Sequence, residues 1–252
     1  MSSEISGRVA FISGASSGLG RRFAEVLAQE GARIAIAARR LDRLESLAAE
    51  LRAGGAEITC LAMDAASTPS VREAAAAAES ALGPIEILVN NAGISHQARL
   101  EAVEEADFDA VMNTNLRGAF FLAQSAARQM IRHGIAGRIV NIASIAAMRT
   151  LGQQSVYSIS KAAMVQMTHA MAREWGRHGI NTNAICPGYI ATEISAEFLQ
   201  TDAGQRMVAG LPRRRMGEAR DLDGVLRLLC SGEAARFING AVITADDGYT
   251  SF

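Results

Sequence analysis

Hydrophobic positions along the 252-residue chain fall into two alternating patterns. Short runs such as Val9-Ala10-Phe11-Ile12 are apolar at every residue and end at glycine or charge. Such runs suit strands buried on both faces, because a half-exposed strand would alternate. Between them lie segments with apolar residues three and four apart, as at Leu19, Phe23, Val26 and Leu27, which make one helix face. The pattern predicts strands over 8–13, 33–38, 58–63, 85–89, 137–142, 182–185 and 241–244. It predicts helices over 41–52, 70–81, 106–133, 155–177 and 221–229, besides one that opens near Leu19 and stops at Gly31. All-apolar strands alternating with helices predict an α/β fold, a doubly wound parallel sheet (Rossmann-like) with ligands at the carboxyl ends of its strands. No linker, repeat or break in composition divides the chain, so residues 1–252 read as a single domain.

Composition narrows the partners. The 25 basic and 26 acidic residues nearly cancel, which argues against a nucleic-acid surface. No apolar run approaches the ~18 residues of a membrane span, and the N-terminus lacks the pattern of an export signal, so a cytoplasmic protein is expected. Cys60, Cys186 and Cys230 are scattered without metal-ligand spacing and read as reduced thiols, with no metal site expected.

The first strand runs into Ser13-Gly14-Ala15-Ser16-Ser17-Gly18-Leu19-Gly20, a G-x-x-x-G-x-G turn. Glycines permit a tight turn and close approach of a pyrophosphate, and the following helix offers unpaired N–H groups to it. By itself this turn is also compatible with an ordinary strand-to-helix connection. At the end of the second strand an acid would bind the ribose of NAD, but here Ala38 is followed by Arg39 and Arg40. Arginine suits a 2′-phosphate, so NADP(H) is favoured over NAD(H). The alternative is that Arg39 and Arg40 simply open a solvated helix.

Ser144 closes a strand, Tyr157 follows thirteen residues later, and Lys161 stands four beyond it. Positions i and i+4 share a helix face. A neighbouring ammonium is expected to lower the phenol pKa, making Tyr157 a general acid or base, with Ser144 orienting the substrate oxygen. Together with the glycine turn and Asn90-Asn91-Ala92-Gly93, these residues resemble the short-chain dehydrogenase/reductase family, and its 3-oxoacyl-carrier-protein-reductase-like subgroup, over about residues 7–248.

That resemblance implies an oxidoreductase moving a hydride between nicotinamide and a carbonyl or secondary alcohol. It implies catalytic roles for Asn115, Ser144, Tyr157 and Lys161, with Asn115 rather than Asn113 serving a proton relay. It places Gly14, Ser16, Ser17, Gly18, Leu19, Gly20, Arg39, Arg40, Asp64, Asn91, Ala92, Gly93, Tyr157 and Lys161 along the cofactor, Asp64 holding the adenine. Pro187, Gly188, Ile190 and Thr192 resemble the loop that grips the nicotinamide amide. A substrate lid is implied over 193–215, where Ile194, Phe198, Leu199, Met207, Val208 and Leu211 suggest a moderately apolar substrate. The long helices imply a homodimer or homotetramer. His96 lies close enough along the chain to reach a substrate, and Arg213-Arg214-Arg215 to meet a carrier phosphate. Two departures stand out: Ser13 replaces a threonine, and Asp246-Asp247-Gly248 replaces Asp-Gly-Gly. An NAD-dependent alcohol dehydrogenase and a non-catalytic dinucleotide sensor remain the alternatives.

Overall fold

The computed structural model describes residues 3–191 and 200–251. Strands β1 (Val9–Ser13), β2 (Arg33–Ala38), β3 (Ile58–Ala62), β4 (Ile87–Asn90), β5 (Arg138–Ile142), β6 (Asn181–Pro187) and β7 (Val242–Ala245) form one parallel sheet. Their order is β3-β2-β1-β4-β5-β6-β7, the doubly wound, Rossmann-like topology expected. The helices are α1 (Gly18–Gln29), α2 (Leu41–Ala53), α3 (Thr68–Leu82), α4 (Glu105–Met112), α5 (Ala119–His133), α6 (Ser155–Trp175), α7 (Asp202–Ala209) and α8 (Asp223–Cys230). None is long and apolar enough to cross a membrane.

The apolar runs work as two-sided strands. Phe11, Ala35, Leu88 and Ile139 point to one face, where they meet Val71 and Ala78 of α3, Leu122 of α5 and Met164 of α6. Their neighbours Ile12, Ile36, Val89 and Val140 point to the other, against Phe23 and Leu27 of α1, Leu44 of α2 and Leu226 of α8. Alternation of side chains across a strand accounts for the split. Phe11 and Phe23 are fully buried, and truncating either to alanine should cost about 3–5 kcal/mol.

The main departure from the sequence pattern concerns the helix over 106–133. The helical path continues, but residues Asn113–Gly118 form a π turn between α4 and α5. Gly118 lies so close to Ala65 that a Cβ there would fall 1.9 Å from the Ala65 carbonyl oxygen. The wider turn also swings Asn115 inward, where it is wholly buried. Inserted π turns are frequent at functional sites. Smaller shifts have local causes. Helix α3 starts at Thr68 because the Ser67 hydroxyl accepts a hydrogen bond from the Ser70 N–H (3.4 Å) and a proline occupies the first turn. Gly31 does end α1, with left-handed backbone (φ 83°). Strand β1 is flanked by β2 and β4, so the strand order reverses there and opens a crevice above their carboxyl ends.

Candidate active site

The β1–α1 turn forms the floor of that crevice. Gly14 is left-handed (φ 69°), and a Cβ on Gly20 would lie 2.3 Å from the Gly14 carbonyl oxygen. Ser17 sits at the N-cap of α1, yet its hydroxyl does not cap the helix. Instead the Ser16 and Ser17 hydroxyls accept from one Arg40 nitrogen at 3.0 and 2.9 Å. Arg39 is exposed and has no hydrogen bond or ion pair among the described residues. Two cations thus stand beside a helix N-terminus whose first turn carries no acid.

A groove of about 560 Å³ runs from Gly14, Ser16, Ser17, Gly18 and Leu19 past Ala38, Arg39, Arg40, Met63 and Asp64. It continues along Asn91, Ala92, Gly93 and Ile94 to Thr114 and Tyr157. Its size is that of a cofactor cleft. Asp64 is on this wall, but its carboxylate also accepts from the Ala66 N–H (3.0 Å), fixing its own turn. Asn91 acts as a brace: its side chain donates to the carbonyls of Ser13 (3.0 Å) and Gly14 (3.3 Å). The Ser13 hydroxyl accepts from the N–H groups of Asn91 and Ala92, both at 3.0 Å, so serine supplies the oxygen that threonine would.

Helix α6 carries Tyr157 and Lys161 to the far end of the groove. The buried Lys161 Nζ donates to the Ile142 carbonyl at the end of β5 (2.7 Å) and lies 5.7 Å from the Tyr157 ring centre. Burial lowers its pKa to about 8. The phenol moves in the direction opposite to the one expected. Burial holds Tyr157 above its ordinary value, and the opposing pull comes from the Ser144 hydroxyl. Desolvation therefore outweighs the hydrogen bond with Ser144. Ser144 is held in place because its hydroxyl accepts from the Ala146 N–H (3.1 Å).

Asn115 locks the loop after β4. Its Oδ1 accepts from the Ile94 N–H (2.8 Å), and its Nδ2 donates to the Ile94 carbonyl (2.9 Å) and the Ser160 hydroxyl (3.0 Å). A Cβ on Gly93 would lie 3.3 Å from Asn115 Oδ1 and 3.6 Å from Lys161 Nζ, so both groups flank this glycine. Asn113 faces a separate apolar groove between α5 and α6.

The loop after β6 opens elsewhere. Pro187 ends β6, and Gly188 packs on Asp246, where a Cβ would lie 2.7 Å from the Asp246 Cα. Gly188 and Ile190 line a second cavity of about 330 Å³ with Pro212 and Arg215, apart from the groove. Thr192, and the lid positions 193–199, lie outside the described residues. Leu211 is buried, while Arg213 pairs with Asp247 (3.1 Å) and Arg215 with Asp221 (3.3 Å). His96 stands 3.5 Å from Asp107.

The family model described as short chain dehydrogenase matches residues 8–203. The chain belongs to the short-chain dehydrogenases. As a member of that family it is an oxidoreductase, and its relatives include more than one substrate type. It is 36% identical over 247 residues to the gluconate 5-dehydrogenase of Gluconobacter oxydans, covering 98% of this chain and 96% of that one. It is 33% identical to a 3-oxoacyl-(acyl-carrier-protein) reductase of Staphylococcus epidermidis, covering 95% and 97%. A crystal structure of a gluconate 5-dehydrogenase from Burkholderia cenocepacia in complex with NADP and tartrate superposes with a TM-score of 0.93 at 36% identity, covering 98% and 96%.

In this short-chain dehydrogenase, some of the site escapes sequence reasoning. Ser160, fully buried, joins Asn115 to the Tyr157 carbonyl (2.7 Å), a link that its place three residues after Tyr157 could have suggested. The Ile142 carbonyl that receives Lys161 leaves no trace in any motif, because every residue carries one.

Proposed function

We propose that this protein is an NADP(H)-dependent oxidoreductase acting on a secondary alcohol or ketone, with Tyr157 as general acid and base. The observation that carries the reading is Tyr157 at the end of a cofactor-sized groove, with Ser144 and the buried Lys161 beside it.

The residues along the groove fit a dinucleotide with a 2′-phosphate. The glycine turn and α1 N-terminus would hold the pyrophosphate, Arg39 and Arg40 with Ser16 and Ser17 would hold the 2′-phosphate, and Asp64 would flank the adenine. A bound nicotinamide dinucleotide would supply the hydride acceptor for the alcohol carbon, or the hydride donor for the carbonyl carbon. Tyr157 handles the proton: its oxygen takes the hydroxyl proton in oxidation and donates it back in reduction. Ser144 holds the substrate oxygen by a hydrogen bond. Lys161 favours the phenolate by its charge, and Asn115, which fixes the Ile94 carbonyl beside it, supports a water-mediated relay of the proton away from the tyrosine.

Two copies are expected to associate through the apolar groove of about 680 Å³ lined by Phe120, Phe121, Met167, Met171 and Trp175. Light scattering should show at least a dimer.

The function is tested by following NADPH and NADH consumption across hydroxylated ketones, plain ketones and 3-oxoacyl thioesters. NADPH is expected to be preferred, and Arg40→Ala to erode that preference about 10- to 100-fold, the loss of one or two charge-assisted bonds. A variant with unaltered preference would return Arg40 to the solvated surface. Turnover with NADH alone would support the NAD-dependent alternative. Tight dinucleotide binding without turnover of any carbonyl would favour the sensor.

A further inference from the structure

Gln153 has a left-handed backbone (φ 59°), a conformation that side-chain-bearing residues rarely adopt. A glycine would hold that shape without strain, and Gly152 stands next to it, yet the strained position carries a long amide. The position is also fastened. The Gln153 carbonyl accepts the Ala98 N–H at 2.9 Å, and Ala98 forms a parallel bridge with Gln154. The segment containing Ala98 runs on directly from Asn91-Ala92-Gly93 and Ile94, the wall of the groove. Tyr157 follows four residues after Gln153.

The next residue breaks a local rule as well. Gln154 is the N-cap of α6, a place that favours a short side chain able to bind the first helical turn, and its amide makes no such bond. Among the described residues neither glutamine amide has a hydrogen-bond partner, and Gln153 is exposed. Two uncommitted amides therefore stand at the junction of the groove wall and the proton-handling tyrosine. Backbone strain kept by surrounding contacts points from an observed outlier toward a role for the residue that bears it. An amide offers donors and an acceptor at one end, the complement of a hydroxyl, and a plain hydrocarbon chain offers it nothing.

We infer that Gln153 is a specificity-determining residue whose amide hydrogen-bonds a hydroxyl next to the reacting carbon of a polyhydroxylated substrate. The inference rests on the oxidoreductase reading above and replaces the apolar substrate expected from segment 193–215.

The test measures kcat and KM with NADPH for wild type, Gln153→Gly and Gln153→Ala. The substrates are hydroxylated ketones (5-ketogluconate, ribulose, fructose), 2-hexanone and a 3-oxoacyl thioester. Both variants should raise KM for the best hydroxylated ketone about tenfold, with kcat changed far less. Its kcat/KM relative to 2-hexanone should fall about tenfold. Gln153→Gly should melt no lower than wild type, because the strained turn is relieved. An unchanged ratio overturns the inference, as does a fall with glycine but not alanine, which would assign the effect to the backbone. A wild type that reduces 2-hexanone or the thioester but no hydroxylated ketone overturns it too, while leaving the oxidoreductase reading intact. No turnover of any carbonyl with either dinucleotide overturns both.

Discussion

The two sides of the cleft turn their backbones with different residues. From residue 3 to the end of β5, every described residue with left-handed backbone is a glycine, including Gly14, Gly18 and Gly31. Beyond β5 the left-handed positions include Gln153, Arg214 and Asp247. Of the first group, Gly14 and Gly18 line the groove assigned to the cofactor, and a Cβ on Gly14 would lie 2.8 Å from the Ala92 Cα. In the second group Gln153 lies in the loop between β5 and α6, Arg214 follows α7, and Asp247 follows β7. Where the groove needs close backbone approach the chain turns on glycine, whereas at Gln153, Arg214 and Asp247 it holds the same backbone shape with a side chain in place.

Lys161 sits where the two sides meet, and the largest expected effect is there. Its folded pKa of about 8 lies below the 10.5 of an unperturbed lysine. Between those values the unfolded chain binds more protons than the folded one, so raising the pH favours the folded state. Relative to Lys161→Met, wild type should gain about 3 kcal/mol in urea denaturation between pH 8 and pH 10.5, and nothing below pH 8. Parallel stability curves for the two proteins would mean that the buried ammonium is not strained.

Gly20→Ala should break the glycine side of the comparison. Its methyl group would press on the Gly14 carbonyl at 2.3 Å, costing about 1–3 kcal/mol. Thermal melts and NADPH titration should show both a less stable fold and weaker binding; undiminished binding would mean that the turn is not the phosphate cradle.

Asp247→Gly should sharpen the contrast with the smallest effect. The variant loses an exposed pair with Arg213, worth about 0–1 kcal/mol, and escapes a left-handed aspartate. The two nearly cancel, so its stability should stay within about 0.5 kcal/mol of wild type in urea melts. A loss above about 2 kcal/mol would show that the Asp247 carboxylate anchors the loop.

Most of the fold was legible because all-apolar runs such as Val9-Ala10-Phe11-Ile12 leave little choice about burial on both faces. Ser144, Tyr157 and Lys161 were legible as a spacing, and the structure gathers them. The π turn at Asn113–Gly118 was not, since Leu116, Ala119 and Leu122 keep a helical apolar rhythm through it. Nor was the direction of the Tyr157 shift, which depends on how much water the folded site excludes. The substitution of Asp247 for glycine was visible in the sequence, but its left-handed backbone and its pairing with Arg213 belong to tertiary structure.

The central claim is that Tyr157 moves the proton in an NADP-dependent reaction, and Tyr157→Phe tests it most directly. Measured with NADPH and the best carbonyl substrate, kcat should fall by about 10²–10⁴-fold. NADPH affinity, read by fluorescence titration, should change by no more than a few fold. A variant that retains wild-type kcat would contradict the assignment of Tyr157 as the acid and base.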